Sequence, residues 1–239
     1  MKQFKWGLEK DIHFLLKTTK SEYIQNSMQN GVFYFNRPEF FSNNNNGLNK
    51  AQEDKYDSFI TADIINVYYS ELSNGNYEKP KKLCDKATLR LRSNDTDSMG
   101  ICCFRKVTFK DLIPHDGNYI LRLGDTVDRI KEEFGHDAFI LIVYPDDFIH
   151  RVSNVCNCFG RSVDYGRLDG EYVSKIFSKN LVHLSLFQKR IEYAWQKEYR
   201  IIKDVFEDKD KFISIGSIED IALSDHIDVL KSGIVIHES

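Results

Sequence analysis

No stretch of this 239-residue sequence approaches the ~20 consecutive apolar residues that a membrane-spanning helix needs. The opening residues, MKQFKWGLEKDIHF, are charged throughout and hold no apolar core ahead of a small-residue cleavage site, so no secretory signal is read there and a cytoplasmic location is expected. Cysteine is sparse and odd in number: Cys84, Cys102, Cys103, Cys156 and Cys158. A chain of this length does not depend on covalent staples, and five thiols cannot all pair, so the expectation is reduced cysteines. Cys156-x-Cys158 has neither the spacing of a zinc ribbon nor that of a thioredoxin-type pair, and no His-rich segment lies near it, so no metal is expected. A formal charge of -3 and a pI near 6.2 exclude a surface coated in positive charge for nonspecific duplex binding, while leaving room for a local basic groove. The glycine-rich segment from Gly160 to Gly170 has no G-x-G-x-x-G or GK[ST] order, which removes the familiar phosphate loops, and reads as a connection beside a site. No D-x-E-x-K or H-N-H arrangement supports a nuclease, and there is no internal repeat or long linker.

What is present is enough to bury a core: 41% apolar and 13% aromatic residues, in one domain spanning residues 1–239. The run IHFLL from Ile12 reads as a first strand, and SEYIQNSMQN as a helix with Ser21 as N-cap and Gly31 as its left-handed stop. Val32 to Phe35 follows as a β-rich strand ended by Asn36-Arg37-Pro38, and Ser42 to Asn46 as a polar loop. Glu53, Asp54 and Asp57 read as a solvated acidic helix face, and Ile60 to Leu72 as a further helix. Ile101 to Phe104 is a short apolar run of the kind found in a buried strand. The segment from Gly124 places Val127, Ile130 and Phe134 on one helical stripe closed by Gly135, and Ala138 to Tyr144 is apolar on both faces, as a strand in mid-sheet should be. Pro145 opens a helical turn. The tail reads as strand, turn, short helix capped by Ser217 or Ser224, and a last strand over Gly233 to Ile236. These signals predict an α+β fold with mixed, mostly antiparallel sheets and short flanking helices.

The most chemically loaded stretch is FQKRIEYAWQKEYRIIKD, Phe187 to Asp204. If its middle is extended, Gln196 and Glu198 point to the same face of a sheet, with Arg200 beside them. If it is helical, Ile191, Ala194 and Trp195 form an apolar stripe and the charges are a solvated face. The apolar pair after Arg200 suggests a helix running into a strand, with Trp195 as a buried structural ring at the junction.

This stretch resembles the closing signature of a poorly characterised family of bacterial and phage proteins, in which a lysine-containing segment precedes Q/E-x-E-aromatic-Arg. Its Gln-x-Glu pair is also similar to the catalytic motif of mono-ADP-ribosyltransferases, where the Glu contacts the nicotinamide ribose and the residue two before it helps to select the acceptor. The segment NGVFYFN from Asn30, with Phe41-Ser42 after it, resembles the part of that fold which frames the nicotinamide pocket. The resemblance implies an ADP-ribosyltransferase-like fold that takes NAD as substrate, with Glu198 and Gln196 catalytic. Tyr34, His13, Lys17, Ser42 and Arg200 would then bind NAD, His13 standing for the first-motif His or Arg. Such a protein would act in phage–host conflict or as a toxin, on a protein or nucleic-acid acceptor. The competing expectation is a noncatalytic nucleotide- or protein-binding module of a bacterial defence or phage counter-defence system.

Overall fold

A computed structural model describes residues 9–38, 59–70, 72–73, 76–91, 96–166 and 182–237. Its strands in chain order are β1 (Ile12–Thr19), β2 (Val32–Tyr34), β3 (Ile60–Tyr69), β4 (Leu72–Ser73), β5 (Asn76–Tyr77), β6 (Lys81–Leu91), β7 (Met99–Thr108), β8 (Leu112–His115), β9 (Asn118–Leu121), β10 (Ala138–Ile142), β11 (Cys158–Ser162), β12 (Asp164–Tyr165), β13 (Gln188–Lys189), β14 (Glu198–Asp204), β15 (Phe212–Ser214), β16 (Ala222–His226) and β17 (Ile234–Ile236). The main helices are α1 (Ser21–Asn30), α2 (Thr126–Phe134), α3 (Pro145–Val155) and α4 (Val229–Ser232).

Six strands form the central sheet in the order β11-β14-β7-β1-β10-β16, every neighbour antiparallel. Alternation along the strands splits their side chains between two cores. On one face Leu15, Phe104, Ile140, Tyr199 and Ile201 pack with Met28 of α1, Phe33 of β2, and Phe148 and Val152 of α3. On the other, Leu16, Val107, Phe139 and Leu141 meet Val127 and Ile130 of α2 and Leu230 of α4. Further along that face Ile101 and Ile202 pack with Leu186 and Phe187. All five residues of β10 are buried, as expected of a strand covered on both sides. The class is α+β with mostly antiparallel sheets; β12 and β13 make a short parallel pair.

Three local expectations are corrected. The segment read as a helix from Ile60 is the strand β3, paired over its length with β6; Ile60, Thr61, Ile64, Ile65 and Val67 give it the β-branched content that favours a pleated ladder. Ser21 is the first helical residue, not the cap: its N–H and Oγ both donate to Asp137, a carboxylate brought from just before β10. In the tail, Ser224 lies in β16 and Ser217 in a non-helical connection, and the short helix forms later as α4. Ser42 and the acidic trio of Glu53, Asp54 and Asp57 lie outside the described residues.

One irregularity of the sheet positions everything that follows. β1 and β7 pair from Ile12–Thr108 to Leu16–Arg105 and no further. Beyond that point Lys17 to Thr19 continue on β10, while Met99 to Phe104 continue on β14. The two central strands therefore part like a wedge. Asn36 closes its far end by a pair of hydrogen bonds with Ile101 (3.0 and 2.7 Å), and Lys17 Nζ reaches across to the carbonyl of Cys103 at 3.0 Å.

Candidate functional site

The wedge opens a cavity of about 730 Å³, inside the range of roughly 300–1,000 Å³ typical of small-molecule and cofactor sites. Its walls include both sides of the split sheet: Leu16 and Lys17 from β1, Cys103 to Arg105 from β7, Glu198 and Arg200 from β14. Tyr34 and Phe212 line it from the β2–β15 pair, their rings 4.8 Å apart. Phe134, His136 and Trp195 supply a second aromatic wall.

Glu198 is the first residue of β14, an internal strand of the central sheet. The residues before it, Ile191 to Gln196, make 3-10 turns, and Lys197 takes a left-handed backbone (φ 47°). Gln196 and Glu198 thus do not share one extended segment. They converge because both are bonded to the same ammonium: Lys189 Nζ donates to Gln196 Oε1 at 2.7 Å and to Glu198 Oε1 at 2.6 Å. Arg200, on the same face of β14, donates Nε to Glu198 Oε2 at 2.7 Å and Nη1 to the carbonyl of Leu186 at 2.6 Å. Glu198, Lys189 and Arg200 are 7%, 7% and 1% exposed.

The backbone beneath this cluster is fixed from two directions. The Glu198 N–H donates to the Tyr165 hydroxyl at 2.7 Å, and its carbonyl accepts from Val163 N–H at 2.9 Å. β13, which carries Lys189, pairs with β12 at Tyr165, and the Gly166 N–H donates to the Lys189 carbonyl at 2.9 Å. Carboxylate and ammonium therefore rest on the same short stretch, residues 163–166.

Among the described residues, charge in the cavity is lopsided. Lys17, Arg105, Lys189, Arg200 and Lys211 line it, against Glu198 and Asp208, and Lys211 and Asp208 pair with each other at 2.8 Å. Lys17 donates to the carbonyl of Cys103 and Arg105 to that of Trp195 (2.6 Å), both neutral acceptors. Burial pushes the Glu198 carboxyl up, but Arg200 and Lys189 overcome it and hold the group well below its ordinary value. Burial, with Lys17 and Lys20 nearby, drops His136 to about 4, so its ring is neutral at physiological pH. Burial pushes the Cys103 thiol up to about 12, with Glu198 adding to it.

Of the residues singled out in the sequence, the cavity brings together Tyr34, Lys17, Gln196, Glu198 and Arg200. His13 is not among them. It is exposed at an irregularity between Ile12 and Phe14, edge-on to Phe109 (5.8 Å). Four residues at ~3.3 Å each put it roughly 13 Å along β1 from Lys17, at the end where the sheet is still closed. Arg200 faces Glu198 and a carbonyl, and Trp195, half-buried under Arg129 (guanidinium 4.0 Å from the ring centroid), packs against the second core and also lines the cavity. Sequence reading gave no role to Lys189, Arg105, Phe212 or His136. The signal for Arg105 was legible, a cation directly following a buried apolar run; Lys189 stood among five basic residues with nothing to separate it from them. No family model, curated protein or solved structure matches the chain.

Proposed function

We propose that the wedge cavity takes NAD as a substrate and that the chain is a mono-ADP-ribosyltransferase of phage–host conflict or a toxin. The observation that carries this reading is one ionised carboxylate, Glu198, set among an excess of cations in a cavity with aromatic rings on two walls. Lys17 and Arg105 are half-buried in the cavity wall, and an anionic ligand there would offset part of the cost of desolvating them. A diphosphate would meet Lys17 and Arg105, whose present acceptors are neutral carbonyls. Tyr34 with Phe212, or Trp195 with Phe134, offers a face for the nicotinamide and adenine rings.

In the reaction, the bond between ribose C1′ and the nicotinamide nitrogen breaks. Nicotinamide leaves with the bonding electrons, and positive charge builds at C1′ before an acceptor oxygen or nitrogen attacks and sheds its proton. A fixed carboxylate that accepts a ribose hydroxyl lowers that barrier. Glu198 keeps the capacity: a carboxylate has about four acceptor positions, and Lys189 and Arg200 occupy one on each oxygen. The same clamp favours the second reading, a noncatalytic nucleotide-binding module, in which Glu198 is an ionic strut between two cations.

Titration calorimetry with NAD and with ADP-ribose tests the shared premise. Both should bind, with affinity falling as salt rises, and Lys17→Met should weaken each. Absence of heat with either ligand at millimolar concentration sinks both readings.

A further inference from the structure

Lys189 is one of two buried cations bonded to Glu198. Its ammonium is bonded to Gln196 Oε1 and Glu198 Oε1 and lies 4.9 Å from the centroid of the Tyr193 ring. A strut needs one cation per carboxylate, and Arg200 already supplies it from the adjacent same-face position on β14. Lys189 brings a second cation to the same carboxylate from another element, β13. What it adds is geometry. Arg200 reaches Oε2 and Lys189 reaches Oε1, from different elements, so the plane of the carboxylate is fixed at both oxygens. Gln196, 7% exposed, accepts from the same ammonium through its Oε1.

We infer that Lys189 is a positioning residue: with Gln196 as its second anchor, its ammonium sets the orientation of the Glu198 carboxylate toward the cavity. The kinetic consequence rests on the transferase reading, while the structural one stands without it. Among the described residues, the ionisable groups around Glu198 are Arg200, Lys189, the register neighbour Arg105, Tyr165 and Cys103. Of these the cations Arg200 and Lys189 hold the carboxyl low.

The test compares full-length wild type, Lys189→Met and Lys189→Arg. Methionine keeps an apolar stem of similar length and removes the charge; arginine keeps the charge. With ¹³C-carboxyl glutamate, and Glu198→Gln to assign the signal, the Glu198 resonance of the wild type should stay ionised below the ordinary glutamate midpoint. In Lys189→Met the midpoint should rise by a unit or more, and in Lys189→Arg it should return toward wild type. In the kinetic arm, Lys189→Met should lower kcat for nicotinamide release at least tenfold with KM changed less than threefold, and Lys189→Arg should recover part of the rate. An unchanged midpoint in Lys189→Met overturns the proposal. Should Lys189→Met lose its circular dichroism, Gln196→Leu decides: it removes the second anchor while leaving both charges, and an unchanged Glu198 signal and rate in that variant overturn the proposal as well. Wild-type protein that releases no nicotinamide sinks the transferase reading alone, and the resonance arm still judges Lys189.

Discussion

Replacing Glu198 by glutamine removes the negative charge shared by Lys189 and Arg200, two cations that are 7% and 1% exposed. Breaking a buried ion pair from one side costs about 3–5 kcal/mol, because the stranded partner keeps its desolvation penalty. Here two cations lose their shared carboxylate, and the amide returns only one acceptor oxygen. A loss of at least ~4 kcal/mol is therefore expected, a large fraction of the roughly 5–15 kcal/mol that stabilises a typical fold. With a urea slope near ~3 kcal/mol/M, the midpoint should fall by about 1–2 M. Adding Lys189→Met to Glu198→Gln removes one of these cations, so the double variant should be more stable than the sum of the singles by about 1–3 kcal/mol. Urea titrations followed by circular dichroism measure all four corners of this cycle. A Glu198→Gln midpoint within about 0.2 M of wild type, taken with a coupling energy of about zero between the two sites, would refute the buried triad. The same arithmetic warns against reading lost activity in Glu198→Gln as loss of chemistry alone, since folded fraction must be measured beside it.

The Glu198 carboxyl also sets an acid limit: its native value lies below the ordinary 4.5, so its contribution is present above that pH and is lost as pH falls toward the native value. Acid unfolding monitored by circular dichroism should therefore be less steep in Glu198→Gln. His136, at about 4 in the fold against an ordinary 6.5, binds its proton more readily when unfolded. Stability should decline between these values by about 2 kcal/mol, after discounting the 1.4 kcal/mol per unit for a ring that is partly exposed; urea titrations at pH 7.5 and 5 should show the decline shrinking in His136→Gln. Gly31 has φ 58° and an added Cβ would lie 2.1 Å from the Gly216 carbonyl oxygen, whereas Gly135 has φ 65° with nothing within 4 Å. Gly135→Ala should cost the ~1–2 kcal/mol of a left-handed alanine and Gly31→Ala distinctly more; equal thermal midpoints would count against the close approach. Trp195→Ala should cost less than the ~3–5 kcal/mol of a fully buried ring, since Trp195 is only half-buried, and should weaken NAD binding in calorimetry.

The elements with strong local signals were legible: the Gly31 and Gly135 stops, the all-apolar β10, the proline that opens α3. β3 was not, because β-branched residues mixed with Asp63 and Asn66 lack clean alternation and its identity depends on pairing with β6, a segment more than ten residues away. The site divided in the same way. Glu198 and Gln196 were readable as a pair, yet the reason they meet is Lys189 and a left-handed Lys197, which spacing cannot encode. Tyr34 and Lys17 lie more than 150 residues from Glu198 and meet it only because the β1–β7 ladder stops at Leu16–Arg105. Strand parting of that kind is a property of tertiary packing. His13 was chosen from its place on the first strand, but the wedge opens at the other end of that strand.

The account stands or falls on nicotinamide release. Purified wild-type protein, incubated with NAD and offered arginine, protein and nucleic-acid acceptors, should liberate free nicotinamide measurable by chromatography. Tyr34→Ala and Lys17→Met should lower the yield while remaining folded, and His13→Ala should leave it unchanged. Bound NAD recovered intact with every acceptor, at wild-type Glu198, would contradict the transferase claim and leave a nucleotide-binding module in its place.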